Sequence, residues 1–190
     1  MDAITLLTTR ASNGKLTEPE PDANTLRMAF EALARVPDHG ALRRLRVRIV
    51  RGEARNALGD VLARAHALEH PDAAQDELDR IKSKPLRAPM ILVVGAVVVA
   101  HPRIPDIEQV LAAGAAAHTL LLVLQARGYA GIWRTGTPAY DPRIKRALGF
   151  APGDALVGFV YAGTPMRSPP SMSRPAAADF VSEWLGPAPE

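Results

Sequence analysis

Three short segments of this 190-residue chain carry side chains able to hold an anion beside a flat ring. Arg10-Ala11-Ser12 sets a guanidinium and a hydroxyl two residues apart, at a helix-to-loop break. Such a pair can grip one phosphate or polyol group, although an arginine at a helix end also complements the helix dipole. In Arg35-Val36-Pro37-Asp38-His39, Pro37 stiffens a turn and Asp38 can cap or orient it. Arg35 and His39 could then face a common anion, or the segment could be an ordinary helix exit. In Gly128-Tyr129-Ala130-Gly131-Ile132-Trp133-Arg134-Thr135-Gly136, the glycines would let backbone approach a flat ligand closely. Trp133 offers an apolar plane there and Arg134 another anion donor; otherwise the stretch is a buried strand with a packed indole.

Other candidates are weaker. His66 and His70 stand at i, i+4 on a predicted helix, a spacing that can share a metal but needs a third ligand. Two surface histidines are the plainer reading. His118 interrupts an apolar helix and is expected to be a hydrogen-bonded core histidine. Arg43, Arg44, Arg46, Arg48, Arg51 and Arg55 form a basic cluster. No aromatic side chain is interleaved to stack on bases, so no nucleic-acid partner is expected. Pairing with carboxylates such as Glu53, or an edge that resists strand addition, explains the cluster better. The phosphate loop GxxxxGK[ST], the nucleophile elbow GxSxG, the spacing GxGxxG and the zinc motif HExxH are all missing.

Composition narrows the class. The chain has no cysteine, which excludes disulfides, thiolate metal sites and thiol catalysis. Its net charge is +3, too small to argue for a polyanionic partner. The amino end does not read as a secretory signal, and the longest unbroken apolar run, residues 88–100, falls short of a bilayer span. A cytoplasmic protein without a membrane partner is expected, as a single domain over residues 1–190 with 166–190 as an extended arm.

The elements that must position these segments follow from apolar periodicity. Helices are predicted over residues 2–10, from Asn24 or Thr25 to before Pro37, and over 53–70, 73–83 and 107–126, with a short one opened by Asp141-Pro142 and closed by Gly149. Strands are predicted over 45–49, 90–99, 130–133 and 156–162. The 90–99 run is continuously apolar, so both its faces should be covered. The 107–126 helix is apolar on most faces and is placed in the core. This order lacks strict βαβ alternation and reads as α+β. Phe180, Val181, Trp184 and Leu185 form a late apolar patch that either folds back on its own core or reaches a second copy.

Taken in order, the segments resemble the nitroreductase family of flavoproteins, most closely its small YdjA-like branch. Arg10-Ala11-Ser12 matches the family's Arg-Arg-Ser, and Arg35-Val36-Pro37-Asp38-His39 matches the branch's Arg-Ala-Pro-Asp-His. The run from Ala130 to Gly136 matches Gly-Gly-Ile-Trp-Arg-Ser-Gly. The run from Gly158 to Pro165 matches Gly-Phe-x-Tyr-x-Gly-Thr-Pro. The resemblance runs in register over nearly the whole chain.

It implies an α+β fold with a central, mostly antiparallel sheet flanked by helices, and an intertwined homodimer with one FMN at each of two interface sites. By the same resemblance, Arg10, Ala11 and Ser12 bind FMN, Ala11 through its backbone only. Trp133, Arg134 and Thr135 line it from the same subunit, and Arg35 and His39 reach it from the other. NADH or NADPH is the implied donor, passing a hydride to flavin N5. A nitroaromatic, a quinone or a similar flat electrophile is the implied acceptor. No catalytic side chain and no metal is required, because the flavin carries the chemistry. Lys15 is a candidate cation for the flavin N1–C2=O edge, and a backbone N–H near Thr135 or Gly136 for N5. Two departures stand out: Ala11 replaces an arginine, and Arg43-Arg44-Leu45 stands where the family commonly has Gln-Pro-Trp. The loss of that Trp changes the pocket, and Arg43 and Arg44 could serve as anion donors. The alternative is a non-catalytic flavin-binding carrier or regulatory module on the same fold.

Overall fold

The computed structural model describes residues 2–169 and 172–187. Helix α1 spans Ala3–Thr9, and a two-residue strand β1, Leu16–Thr17, follows the loop that carries Arg10 and Ser12. Helix α2 covers Ala23–Leu33, strand β2 Leu45–Arg51, helix α3 Ala54–Glu69 and helix α4 Gln75–Lys82. Strand β3 is Met90–Ala96, helix α5 Asp106–Ala126, strand β4 Ala130–Arg134, helix α6 Pro142–Ala147 and strand β5 Ala155–Pro165.

All strand pairings are antiparallel, and β5 is the hub. It pairs with β3, β4 and β1, while β2 pairs with β3 and forms an edge. Alternation decides which core each residue enters. Ile91, Val93, Phe159 and Tyr161 turn toward Leu58 and Leu62 of α3 and Ile144 of α6. Met90, Leu92, Val94, Val160 and Ala162 turn toward α5 and α2. The sheet is thus covered on both sides, which explains the unbroken apolar run of β3. Full burial of a side chain such as Leu92 or Leu120 contributes about 1.5–3 kcal/mol.

The structure corrects several boundaries. Asp22, not Asn24 or Thr25, caps α2, its carboxylate accepting the Thr25 N–H at 2.7 Å. Residues 97–99 leave the ladder of β3: Val97 still donates to the Arg44 carbonyl, and side chains take over at Val98 and Val99. Asp154 Oδ1 accepts the Val98 N–H, and the Gln109 amide binds both backbone groups of Val99. The short strand β1 has no periodicity to betray it and exists only through its pairing with β5.

Helix α5 is also less enclosed than its composition suggests. Ala113, Ala116, Ala117, Leu120 and Leu124 pack on the sheet, yet Ile107 is 60% exposed and Leu111 62% exposed. With Ala115 and His118 they mark one uncovered stripe. By length and apolarity alone α5 could cross a bilayer, but its other side is closed by the sheet. Phe180, Val181, Trp184 and Leu185 are all exposed, Trp184 at 82% and Leu185 at 86%. They do not fold back over their own core. The expected arm, 166–190, falls partly on residues 170–171 and 188–190, which lie outside the described residues.

Asp141 illustrates how a cap is charged. Its carboxylate accepts the Arg143 N–H at 2.7 Å and the Arg143 guanidinium at 2.6 Å, and that guanidinium holds it below the usual carboxylate range. A depressed pKa contributes stability that is complete above the unfolded value, about 3.9, and is lost as pH falls through the folded one. Replacing Asp141 by Ala should cost about 1 kcal/mol at pH 7. That gap should persist at pH 5 and narrow at pH 3, read from urea midpoints. An equal gap at all three values would refute the role of the charge.

Candidate functional site

The Arg10–Ser12 loop is fixed by two polar residues. Asn13 is buried: its N–H donates to the Gly131 carbonyl of β4 at 3.0 Å, and its Nδ2 donates to the Arg167 carbonyl at 2.7 Å. Gln125 of α5 accepts the Ala11 N–H at 3.2 Å. The backbone through which Ala11 was expected to act is therefore engaged by α5. The loop leaves Arg10 Nη1 3.4 Å from Ser12 Oγ, with no carboxylate pairing Arg10 among the described residues.

Strand β4 brings the Gly128–Gly136 segment alongside. Trp133 Nε1 donates to the Val157 carbonyl at 3.1 Å, and the far edge of its ring lies over Gly114 of α5. Gly158 of β5 makes room for that ring, since a Cβ there would stand 2.3 Å from Trp133 Nε1. Arg10, Ser12, Trp133 and Thr135 then line one cavity of about 460 Å³, with Leu121 and His118. His118 is thus exposed at a cavity, not a core histidine as its apolar neighbours suggested. It belongs to the stripe formed with Ile107, Leu111 and Ala115, and that helical spacing was the available signal.

Arg134 points the other way. Alternation along β4 turns its guanidinium toward Gly14, beside Ile132. It lines a second cavity of about 440 Å³ with Lys84, Arg87, Thr135 and Tyr161. None of these three cations forms an ion pair among the described residues. Burial, with help from Arg87 and Arg80, pulls the Lys84 pKa down, and burial pushes the Tyr161 hydroxyl up. Lys84 was not singled out by its sequence context. Only the turn that follows α4 carries it to β4, and no local pattern predicts that approach. Both cavities share Trp133 and Thr135, and among the described residues no carboxylate lines either. Hydroxyls, unpaired cations and an aromatic wall suit a phosphorylated ligand with a flat ring.

Arg35 and His39 lie elsewhere. They follow α2, and His39 Nδ1 is bonded to the Glu108 carboxylate near the start of α5. Glu108 and His118 stand about ten residues apart, roughly 15 Å along a helix that rises about 1.5 Å per residue. In one copy the Arg35–His39 segment is therefore not brought to the other two.

The remaining candidates resolve as structure. His66 Nε2 donates to the Glu77 carboxylate at 3.1 Å and the ring packs on His70, while Glu69 faces Arg143. Among the described residues no three His, Cys, Asp or Glu gather as metal ligands. The basic cluster does not pair with Glu53, which instead accepts from Asn56. Arg48 binds the Leu148 carbonyl and stacks on Phe150, Arg51 pairs with Glu20, and Arg55 binds the Ala88 carbonyl. Arg48 and Arg51 make these contacts from the edge strand β2, and Arg55 from α3.

A profile of the nitroreductase family matches residues 7–164 of this chain. YdjA of Escherichia coli (strain K12), provisionally named an NAD(P)H nitroreductase, is 34% identical over 184 residues, covering 96% of this chain and 99% of YdjA. Among solved structures, a nitroreductase-like family protein from Bacillus cereus superposes with a TM-score of 0.83 at 19% identity, covering 98% of this chain and 97% of that one. The FMN and NADPH-dependent nitroreductase NfnB from Sphigopyxis sp. strain HMH does so with a TM-score of 0.75 at 19% identity, covering 98% and 100%.

Proposed function

Because this chain belongs to the nitroreductase family, we propose that it is an FMN-dependent NAD(P)H oxidoreductase whose flavin sites form only between two copies. The observation that carries this reading is the separation of the two half-sites along the uncovered stripe of α5. Under a two-fold axis, residue i of one copy meets residue j of the other, and j meets i. Two antiparallel α5 helices centred between Leu111 and Ala115 would bring the Glu108 end of one beside the His118 end of the other. Arg35 and His39 of one protomer would then close the cavity lined by Arg10, Ser12, Trp133 and Thr135 of its partner. The same pairing covers Ile107 and Leu111, which a single copy leaves in water.

The residues present fit FMN. Arg10, Ser12, Arg35 and His39 would hold its phosphate and ribityl groups by charge-assisted and hydroxyl hydrogen bonds. Trp133 and Thr135 would border the ring. Lys15 would supply the cation at the N1–C2=O edge that favours an anionic reduced ring by Coulomb attraction. Arg134 and Lys84 line the neighbouring cavity, which shares Trp133 and Thr135 with this one. When bound, the flavin supplies the two-electron chemistry by hydride transfer at N5. The protein's part is to orient the ring and limit water at its edge. Relatives support the donor: YdjA is provisionally named for NAD(P)H, and NfnB is FMN and NADPH-dependent. Flat electrophiles such as nitroaromatics and quinones are the proposed acceptors.

The test is an absorbance spectrum of purified protein, taken anaerobically before and after NADH and then NADPH. A flavin band that bleaches on adding one nucleotide is expected. A band that persists with both would favour the carrier alternative, and failure to take up added FMN would refute the reading.

The exposed arm carries a second expectation. Truncation before Phe180 should loosen the dimer, as its apolar side chains would pack on the other copy. Sedimentation equilibrium should show dissociation at micromolar concentration. A truncated protein that stays a tight dimer would remove the arm from the interface.

A further inference from the structure

A third cavity, of about 600 Å³, lies between the end of α2, the start of β2 and the first half of α5. We infer that it is a binding site for a small aromatic carboxylate, held by Arg44. Its walls are apolar at Leu33, Val36, Leu45 and Ala112, and its charged lining is Arg43, Arg44 and Asp38. Arg44 is half-buried, and its Nε is shut off from solvent with no hydrogen-bond partner among the described residues. A buried donor left unpaired is costly, and a guanidinium more so than an amide. Neither Arg43 nor Arg44 forms an ion pair among the described residues. Asp38, the one carboxylate of the lining, is turned to the Arg43 N–H at 2.7 Å.

The backbone beside these arginines is held in an unfavourable conformation. Ala41 and Arg43, neither of them glycine, adopt φ of 49° and 56°, next to Gly40 at 67°. Left-handed backbone at a non-glycine residue costs on the order of 1 kcal/mol and persists where surrounding structure imposes it, often at ligand sites. Gly40 suits this turn because its own φ lies in the left-handed region that favours glycine.

Charge and shape together select the ligand class. Because Nε is closed off, the Arg44 edge that can meet a ligand is Nη1–Nη2, and such an edge pairs with a planar oxyanion in two parallel hydrogen bonds, which suits a carboxylate. The apolar walls suit a ring, and the volume lies within the range of small-molecule pockets. A hydrated inorganic anion would use the charge and leave the walls unfilled. The cavity adjoins the segment carrying Arg35 and His39. Resting on the function proposed above, the ligand is a carboxylated electron acceptor.

The probes are 4-nitrobenzoate and its neutral analogue 4-nitrobenzamide. Calorimetric titration of the purified dimer should show the carboxylate binding more tightly, on the order of tenfold to a hundredfold. Arg44→Met should abolish that preference, and Arg44→Lys should retain part of it. Equal affinity of the wild-type protein for both probes would overturn the inference without recourse to any variant. So would a preference that survives Arg44→Met in a variant with an unchanged melting curve. If Arg44→Met instead weakens FMN binding, the arginine serves the flavin phosphate and the inference also fails. Turnover separates this inference from the broader reading. Carboxylate binding without NAD(P)H oxidation would refute the oxidoreductase and leave the cavity assigned. Oxidation with no discrimination between the two probes in KM would do the reverse.

Discussion

Two inactive variants should restore one flavin site when they are combined in a single dimer. Arg10→Ala/Ser12→Ala removes one half of the proposed site, and Arg35→Ala/His39→Ala removes the other. Each double variant alone should lose FMN affinity by about a hundredfold, given two charge-assisted or hydroxyl contacts of about 1.5 kcal/mol each. Neither should unfold the chain. Arg10, Arg35 and His39 are surface groups, and His39 contacts only the exposed Glu108 through a side-chain pair. In a heterodimer purified through two different tags, one site inherits both defects and the other inherits none. The heterodimer should therefore bind one FMN with wild-type affinity, against two in the wild-type dimer. A heterodimer that binds no flavin tightly would end the shared-site reading, because sites confined to one copy cannot complement in this way.

Gly158→Ala should be the most damaging single-methyl change near the site. An added Cβ would meet Trp133 Nε1 at 2.3 Å and the Arg134 carbonyl at 2.6 Å, at a φ of 152° that favours glycine. Strand β5 is the hub of the sheet and cannot retreat without disturbing β3 and β4 together. Overpacking and backbone strain should cost about 2–4 kcal/mol. For a chain of this length that lowers the melting temperature by roughly 5–15 °C. Displacing Trp133 also breaks its bond to the Val157 carbonyl and should weaken FMN binding in the protein that remains folded. Gly153→Ala is the control, since a Cβ there meets nothing within 4 Å. It should change stability by no more than about 0.5 kcal/mol. Equal melting temperatures for the two variants would show that the space over Gly158 is not what holds the indole.

Much of the architecture was readable from local chemistry. The sequence of helices and strands follows from apolar spacing, because a 3.6-residue or two-residue repeat is set by backbone geometry alone. The continuous apolar run of β3 foretold a sheet covered on both faces. The three ligand-competent segments were visible because glycine, proline and arginine announce turns and anion contacts one residue at a time. The family followed from those segments taken in order. Other features depended on partners distant in the chain. Strand β1 consists of two residues and forms only against β5. Asn13, read as part of a break, anchors the first segment because Gly131 and Arg167 come to it. Lys84 reaches Arg134 only through the packing of α4 and the turn after it. The apolar neighbours of His118 predict burial, but periodicity cannot say which stripe of a helix the sheet leaves uncovered. Arg44 shows the same division most plainly. Its charge is written in the sequence, but that its Nε is closed off from water and unpaired is decided by how α2, β2 and α5 pack around it. Local propensity acts over a few residues, whereas burial and charge pairing act between whichever groups the fold brings into contact.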